Sequence, residues 1–236
     1  LALLLIILLF IMVLYFVFKT SKISEQNRLW AGMARETAHQ IGTPLTSMMG
    51  WVTLLKEKKK KSESIIEIEK DIERLKIISE RFSKIGSIPE LKKDSINECI
   101  SKTIIYLKKR SSEHINFKIK IPKKNLIIPF NYQLLSWTIE NLIKNSIDAI
   151  KGRGLISLEL IEKINKIEIN IEDNGIGIKQ EDINKIFTPG FTSKKRGWGL
   201  GLSLAKRIIV DFHKGKISVK NTKVGKGTLF QILLNK

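Results

Sequence analysis

The first 18 residues constrain this chain more than any other feature. Leu1 to Phe18 form an unbroken apolar run without a charged side chain. A helix of this length reaches about 27 Å at 1.5 Å per residue, which is close to the hydrocarbon thickness of a bilayer. A signal peptide would have a shorter apolar core behind a basic segment. The run therefore predicts a transmembrane helix.

Basic residues follow this run directly, at Lys19, Lys22, Arg28 and Arg35. An excess of lysine and arginine beside a span marks its cytoplasmic side. We therefore expect a protein of the inner, cytoplasmic membrane whose C-terminal part lies in the cytoplasm. Because the chain begins with Leu instead of Met, we also expect an N-terminal part ahead of Leu1.

Two segments after the span repeat apolar residues at spacings of three and four, which is the helical period. The first carries Trp30, Met33, Thr37, Ile41, Leu45, Met48, Val52 and Leu55. The second carries Ile65, Ile68, Ile72, Leu75 and Phe82. Two antiparallel helices cannot bury both stripes alone. The pattern predicts a helical hairpin within residues 19–85 that forms a four-helix bundle with a second copy.

One histidine lies off the stripe of the first helix. His39 is two residues from Thr37 and two from Ile41, so the helical period turns it away from the apolar side. Pro44 follows five residues later, and a proline inside a helix removes a hydrogen bond and produces a kink. The pattern predicts an exposed imidazole beside a point where the helix can bend.

The C-terminal part carries a series of short motifs that suit a nucleotide. Asn141 and Asn145 place two amides on one helix face, and neutral oxygens of this kind suit Mg²⁺. Asp173 begins the motif Asp-Asn-Gly-Ile-Gly directly after a strand-like stretch. Its carboxylate can accept a hydrogen bond from an exocyclic amine such as that of adenine. Gly175 and Gly177 allow the backbone to approach a ligand closely.

Two further motifs follow in order. Gly197-Trp198-Gly199-Leu200-Gly201 precedes a helical pattern. A glycine-rich turn that opens a helix presents N–H groups and the positive end of the helix dipole to phosphate. Gly225-Lys226-Gly227-Thr228 begins a strand near the C-terminus. Each motif alone is a weak signal, but four in this order indicate a nucleotide site.

In these motifs the chain resembles the ATP-binding domain shared by sensor histidine kinases, gyrase-type topoisomerases and heat-shock ATPases. The motifs match its N, G1, G2 and G3 boxes, and Ile186 to Lys194 matches its F box, inside a lid at 178–198. The His-Gln-Ile-Gly-Thr-Pro segment at His39 resembles the H box of the histidine kinases. The resemblance spans about residues 25–235. It implies a transmembrane helix at 1–18, a dimerisation hairpin at 19–85, a linker at 86–90 and an α+β sandwich ATP-binding domain at 91–236.

The resemblance also implies a reaction and its residues. His39 would take the γ-phosphoryl group of ATP and pass it to an aspartate on the receiver domain of a response regulator, within a homodimer. Gln40 and Thr43 would assist His39, Asn145 would hold Mg²⁺ and Asp173 would read adenine. Further nucleotide contacts are implied for Asn141, Lys144, Gly175, Gly177, Lys194, Gly197, Gly199, Leu200, Gly201 and Thr228.

Gln40 departs from the family pattern, in which Glu or Asp usually follows the histidine. Its amide oxygen can hold Nδ1–H of His39 and fix the tautomer, but it cannot take a proton. Thr43 stands where related kinases position water for dephosphorylating the regulator, or it bonds only its own helix. A degenerate kinase that signals through conformation, or a regulator phosphatase, therefore stays an alternative. A gyrase-type ATPase would need a Glu at Asn141.

The net charge of +19 does not indicate a nucleic-acid partner. The basic residues are scattered over every segment, without aromatic interleaving or a recognised reading helix. The three histidines and the single cysteine are not spaced as the ligands of a zinc site are, so the sequence does not predict one. His213 is expected to end the helix that begins at Gly199, where a cation would face the negative end of the helix dipole.

Overall fold

The computed structural model describes residues 2–58, 65, 66, 68, 69, 71–73, 75, 76, 79, 80, 89–194 and 199–236. Within the first helix, the side chains at 22–40, 42–44 and 56–58 lie outside this description. The chain divides into two compact units, Leu1–Pro89 and Glu90–Lys236, which are considered separately.

The first unit begins with one long helix, α1 (Ala2–Lys58), which continues through Pro44. Its segment Ala2–Ser21 has a mean hydropathy of 2.9 and is not covered by the rest of the described chain. By length and composition this segment could cross a membrane, and it is the one such segment among the described residues. The apolar helix predicted at the N-terminus is therefore present.

The described positions between 65 and 80 are also helical. Leu45 and Val52 of α1 form a buried cluster with Ile65 and Ile72. Each pair is seven residues apart, so one heptad position on each helix is buried within the chain. The other heptad position is 38% to 48% exposed, at Met48, Leu55, Ile68 and Leu75. Among the described residues, these two helical segments thus bury one heptad position of the apolar stripe and leave the other exposed.

The second unit is an α+β domain, as predicted. Its helices are α2 (Ile96–Lys108), α3 (Tyr132–Ala149) and α4 (Gly201–Arg207), with a 3-10 turn at Gln180–Asp182 and a π-helical turn at Ile208–Phe212. Its strands are β1 (Lys92–Ser95), β2 (Ile115–Lys120), β3 (Ile127–Phe130), β4 (Gly154–Glu162), β5 (Lys166–Asp173), β6 (Lys216–Lys223) and β7 (Gly227–Asn235).

The main sheet has the strand order β2-β4-β5-β7-β6, and β1 pairs with β3 in a separate two-stranded sheet. The β2–β4 pair is parallel, whereas the other pairs are antiparallel. Ile167, Ile169 and Ile171 alternate along β5 on one face and are fully buried. Burial of such a side chain stabilises the fold by about 1.5–3 kcal/mol. α3 packs on β4, β5 and β7, which brings its C-terminal half to the end of β5.

The cationic role expected for His213 is wrong. The ring is buried, its Nδ1 lies 2.8 Å from the carbonyl oxygen of Ile208, and its Nε2 accepts the backbone N–H of Asn131 at 3.0 Å. An acceptor at Nε2 requires a neutral ring with its proton on Nδ1. Burial lowers the pKa of His213, and the hydrogen bond to Ile208 opposes that effect. His213 therefore joins the end of the π-helical turn to Asn131, the N-cap of α3.

This lowered pKa predicts a loss of stability in acid. The unfolded chain binds a proton at His213 more readily than the folded chain does, so the free energy of unfolding should decrease as the pH falls below about 6.5. His213→Gln keeps an acceptor but does not titrate, and its stability should depend less on pH. The measurement is urea unfolding of the chain in detergent between about pH 7 and pH 5. The exposed His114, changed to Gln, serves as control, and an equal slope for His213→Gln and wild type would contradict the assignment.

Candidate functional site

A cavity of about 440 Å³ lies between the C-terminal half of α3, the end of β5, the segment 186–194 and the start of α4. Eight of the predicted site residues line it: Asn145, Asp173, Gly177, Lys194, Gly199, Leu200, Gly201 and Thr228. The remaining wall is mostly apolar and includes Ile176, Ile178, Phe191 and Phe230. The structure therefore brings motifs that are far apart in sequence to one cavity.

Asp173 is the buried carboxylate of this cavity. Its Oδ2 accepts the hydroxyl of Ser146 at 3.0 Å, and its Oδ1 accepts the N–H of Gly175 at 2.9 Å. Burial raises the pKa of Asp173, while hydrogen bonds from Gly175, Ser146 and the backbone of Thr228 act in the opposite direction. An ionised carboxylate has several lone pairs, so it can accept one more donor from the cavity side.

The two amides of α3 have different environments. Asn145 lines the cavity, whereas Asn141 lies behind it against Gly201, where an added Cβ would be 3.9 Å from its Cγ. The Nδ2 atom of Asn141 is buried and has no hydrogen-bond partner among the described residues. Buried polar atoms without a partner are rare, so this donor is suited to an acceptor brought by a ligand.

Lys144 and Lys194, which were both predicted to contact phosphate, lie in different places. Lys144 is not part of the cavity wall, and its Nζ pairs with the carboxylate of Glu140 at 2.7 Å. Lys194 lines the cavity and donates to Oδ1 of Asn145 at 3.0 Å and to Oδ2 of Asp148 at 2.6 Å. Sequence reasoning missed Asp148. Its position three residues after Asn145, on the same side of α3, was the available signal.

The glycines at the cavity edge permit close packing of the chain against itself. Gly177 has a φ of +71°, and a Cβ there would collide with the carbonyl group of Lys223. At Gly175 a Cβ would lie 2.7 Å from the backbone of Ala149. These two glycines were predicted to let the backbone approach a ligand. In the structure the close approach is to protein backbone, which fixes the shape of the cavity.

Several predicted residues lie outside the described part of the chain. His39, Gln40 and Thr43 belong to α1, but their side chains are not among those described, and neither is Gly197. The described part of the predicted lid, residues 178–194, contains the 3-10 turn at Gln180–Asp182. The roles of these four residues stay predictions.

The residues of the cavity fit a nucleotide with its metal ion. A buried carboxylate in an apolar wall suits a purine that carries an amine. The described residues contain no group of three or more His, Cys, Asp or Glu side chains that could hold a metal. A metal at Asn145 would therefore have to share its ligands with phosphate and water, as Mg²⁺ commonly does.

Comparison with known proteins agrees with this geometry. The family described as histidine kinase-, DNA gyrase B- and HSP90-like ATPase matches residues 131–236. Sporulation kinase D of Bacillus subtilis (strain 168) is 30% identical over 241 residues, which cover 96% of this chain and 47% of that protein. The chain thus spans about half the length of this relative.

Two solved structures extend the comparison. The catalytic domain of histidine kinase ThkA matches with a TM-score of 0.58 and 28% identity, over 63% of this chain and 97% of that one. Histidine kinase ThkA in complex with response regulator protein TrrA matches with a TM-score of 0.60 and 24% identity, over 94% of this chain and 66% of that one, and supports the fold alone. Residues 131–236 therefore match the histidine kinase-, DNA gyrase B- and HSP90-like ATPase family, and the chain is similar to sensor histidine kinases.

Proposed function

We propose that this chain is the transmitter part of a sensor histidine kinase, which moves the γ-phosphoryl group of ATP to His39 and then to an aspartate of a response regulator. The observation that carries the proposal is the cavity in which Asp173, Asn145 and the start of α4 meet. The similarity to Sporulation kinase D supports it, because that similarity covers 96% of this chain and so includes the His39 segment. ThkA, whose catalytic domain is 28% identical to this chain, forms a complex with a response regulator protein, and this favours the same class of partner here.

Within the cavity, Asp173 accepts the exocyclic amine of adenine, and the apolar side chains around it exclude water. Leu200, the N-cap of α4, makes no side-chain cap, so the first N–H groups of the helix are available to phosphate. Asn145 would hold Mg²⁺, which would neutralise the charge that develops on the phosphates during transfer. Asn141, behind the wall at Gly201, has a buried Nδ2 that would donate to an acceptor of the bound nucleotide.

In the transfer step, Nε2 of His39 attacks the γ-phosphorus as the bond to the bridging oxygen of ADP breaks. An imidazole with a pKa near about 6.5 is mostly neutral at pH 7 and is a competent nucleophile. Gln40 orients the ring through Nδ1–H without taking its proton. Thr43 positions water for removing phosphate from the regulator. Positioning and charge neutralisation supply most of the acceleration.

A hydrolytic ATPase is less well supported. Such an enzyme would need a glutamate at Asn141 to activate water. The neighbouring Glu140 is only 6% exposed at its side chain, is paired with Lys144, and does not line the cavity. Phosphoryl transfer to histidine therefore accounts for the residues of the cavity better than transfer to water.

The first unit supplies the membrane anchor and the dimer interface. Ala2–Ser21 would span the cytoplasmic membrane and leave the kinase portion in the cytoplasm. The exposed half of the hairpin stripe, Met48, Leu55, Ile68 and Leu75, would pack against the same residues of a second copy. A homodimeric four-helix bundle would then bury both halves of the stripe.

The proposal predicts an acid-labile, base-stable phosphate on His39. Purified chain in detergent, incubated with labelled ATP and Mg²⁺, should gain this label, and His39→Ala should lose nearly all of it. His114→Ala removes an exposed histidine outside the cavity and should label like wild type. Labelling of His39→Ala to the wild-type extent would refute the assignment.

The proposed dimer predicts that a charge on the exposed heptad position separates the copies. Leu55→Glu should produce monomers, because the bundle would bury an unpaired carboxylate. Leu54 is a matched control, since it is similarly exposed and lies about 180° around the helix from Leu45. Leu54→Glu should stay dimeric. The measurement is the mass of the detergent-solubilised chain by light scattering, and a dimeric Leu55→Glu would contradict the proposed interface.

A further inference from the structure

One ionic contact at the cavity wall joins Lys194 to the last turn of α3. The ammonium group donates to Oδ1 of Asn145 at 3.0 Å and to Oδ2 of Asp148 at 2.6 Å. Asn145 and Asp148 are three residues apart and are neighbours on one side of the helix. The two oxygens therefore form one binding position for a cation, which Lys194 occupies in this structure.

The amide oxygen in this contact is the atom that the proposed function assigns to Mg²⁺. A magnesium ion requires oxygen ligands at about 2.0–2.1 Å in octahedral geometry. An ammonium group bonded to the same oxygen would be a few ångströms from the metal, and like charges at that separation repel. Lys194 and the metal therefore exclude each other at Asn145.

We infer that Asn145 and Asp148 form a single cation site that holds either the ammonium of Lys194 or the divalent ion that accompanies the nucleotide. The inference rests on the proposed function. It adds Asp148 to the metal site and makes Lys194 an internal competitor of the metal.

The ion pair between Lys194 and Asp148 is exposed to water, and this allows a divalent ion to replace the ammonium group. The side chains of Lys194 and Asp148 are 42% and 55% exposed. Water screens an ion pair of this kind, so its net strength is small. A divalent ion carries twice the charge of an ammonium group and brings phosphate oxygens as further ligands. It can therefore displace Lys194 from the two oxygens.

Two backbone N–H contacts of the segment that carries Lys194 do not involve its ammonium group. The N–H of Gly190 donates to the carbonyl of Gly199 at 3.1 Å, which joins the two ends of the segment that carries Lys194. Within the segment, the N–H of Lys194 donates to Oγ1 of Thr192 at 3.1 Å. Release of the ammonium group leaves both of these hydrogen bonds in place.

The test is the Mg²⁺ dependence of nucleotide binding by the full chain in detergent, measured with a fluorescent non-hydrolysable ATP analogue. The proteins compared are wild type, Lys194→Met, and Lys194→Met with Asp148→Asn. Lys179 and Glu181 form a matched control pair, with Nζ and Oε1 3.7 Å apart, in the predicted lid but outside the cavity wall. The controls are Lys179→Met and Lys179→Met with Glu181→Gln.

Lys194→Met should lower the Mg²⁺ concentration at half-saturation about two- to fivefold, as expected for loss of an exposed ion pair that competes with the metal. Adding Asp148→Asn should raise it again by at least about twofold, because the metal then loses a carboxylate. The control variants should match wild type.

An unchanged or higher Mg²⁺ requirement in Lys194→Met would overturn the competition. No change on adding Asp148→Asn would remove Asp148 from the site. If wild type bound no nucleotide at any Mg²⁺ concentration, the proposed function would fail and this inference with it, which is distinct from normal binding with an unchanged Mg²⁺ requirement.

Discussion

The nucleotide site depends on the hydrogen bonds that the carboxylate of Asp173 accepts. Asp173 is the last residue of β5, and its carboxylate accepts hydrogen bonds from the hydroxyl of Ser146 and the N–H of Gly175. These bonds connect the sheet to α3 and to the turn that follows β5. Removing the carboxylate would leave these two donors buried without an acceptor, at a cost of about 1–3 kcal/mol each. Because Ser146 adjoins Asn145, the same contact fixes the spacing between the carboxylate proposed to read adenine and the amide proposed to hold the metal.

The two units of the chain differ in how fully they bury their apolar side chains, and this difference matches the roles proposed for them. The ATP-binding domain buries Ile167 and Ile169 of β5 completely within its own core, without a second copy. The described helical segments of the first unit bury Leu45 and Val52 but leave a second heptad position exposed. Under the proposed function, dimerisation stabilises the hairpin that carries His39. The ATP is bound by a separate domain that has its own core.

The sequence was sufficient to predict most of the cavity, because its motifs lie at the ends of regular elements. Asp173 and Thr228 are 55 positions apart, yet the antiparallel register of β5 and β7 places them opposite each other. Contacts between distant side chains could not be predicted in this way. Lys144 pairs along its own helix, whereas Lys194 reaches Asp148, and helical periodicity alone does not decide between such partners. The cationic role expected for His213 was wrong because the ring accepts the N–H of Asn131, which is 82 residues away and could not be identified from the local sequence.

The central claim is that Asp173 reads the exocyclic amine of adenine, and the most direct measurement is calorimetric titration with ADP and with a purine nucleoside diphosphate that lacks this amine. Wild type should bind ADP about ten- to a hundredfold more tightly, since a hydrogen bond to a charged group contributes about 1.5–3 kcal/mol. Asp173→Asn, which keeps the shape of the side chain, should bind both ligands with similar affinity. Equal affinities in wild type, or a preference for ADP that survives in Asp173→Asn, would contradict the account.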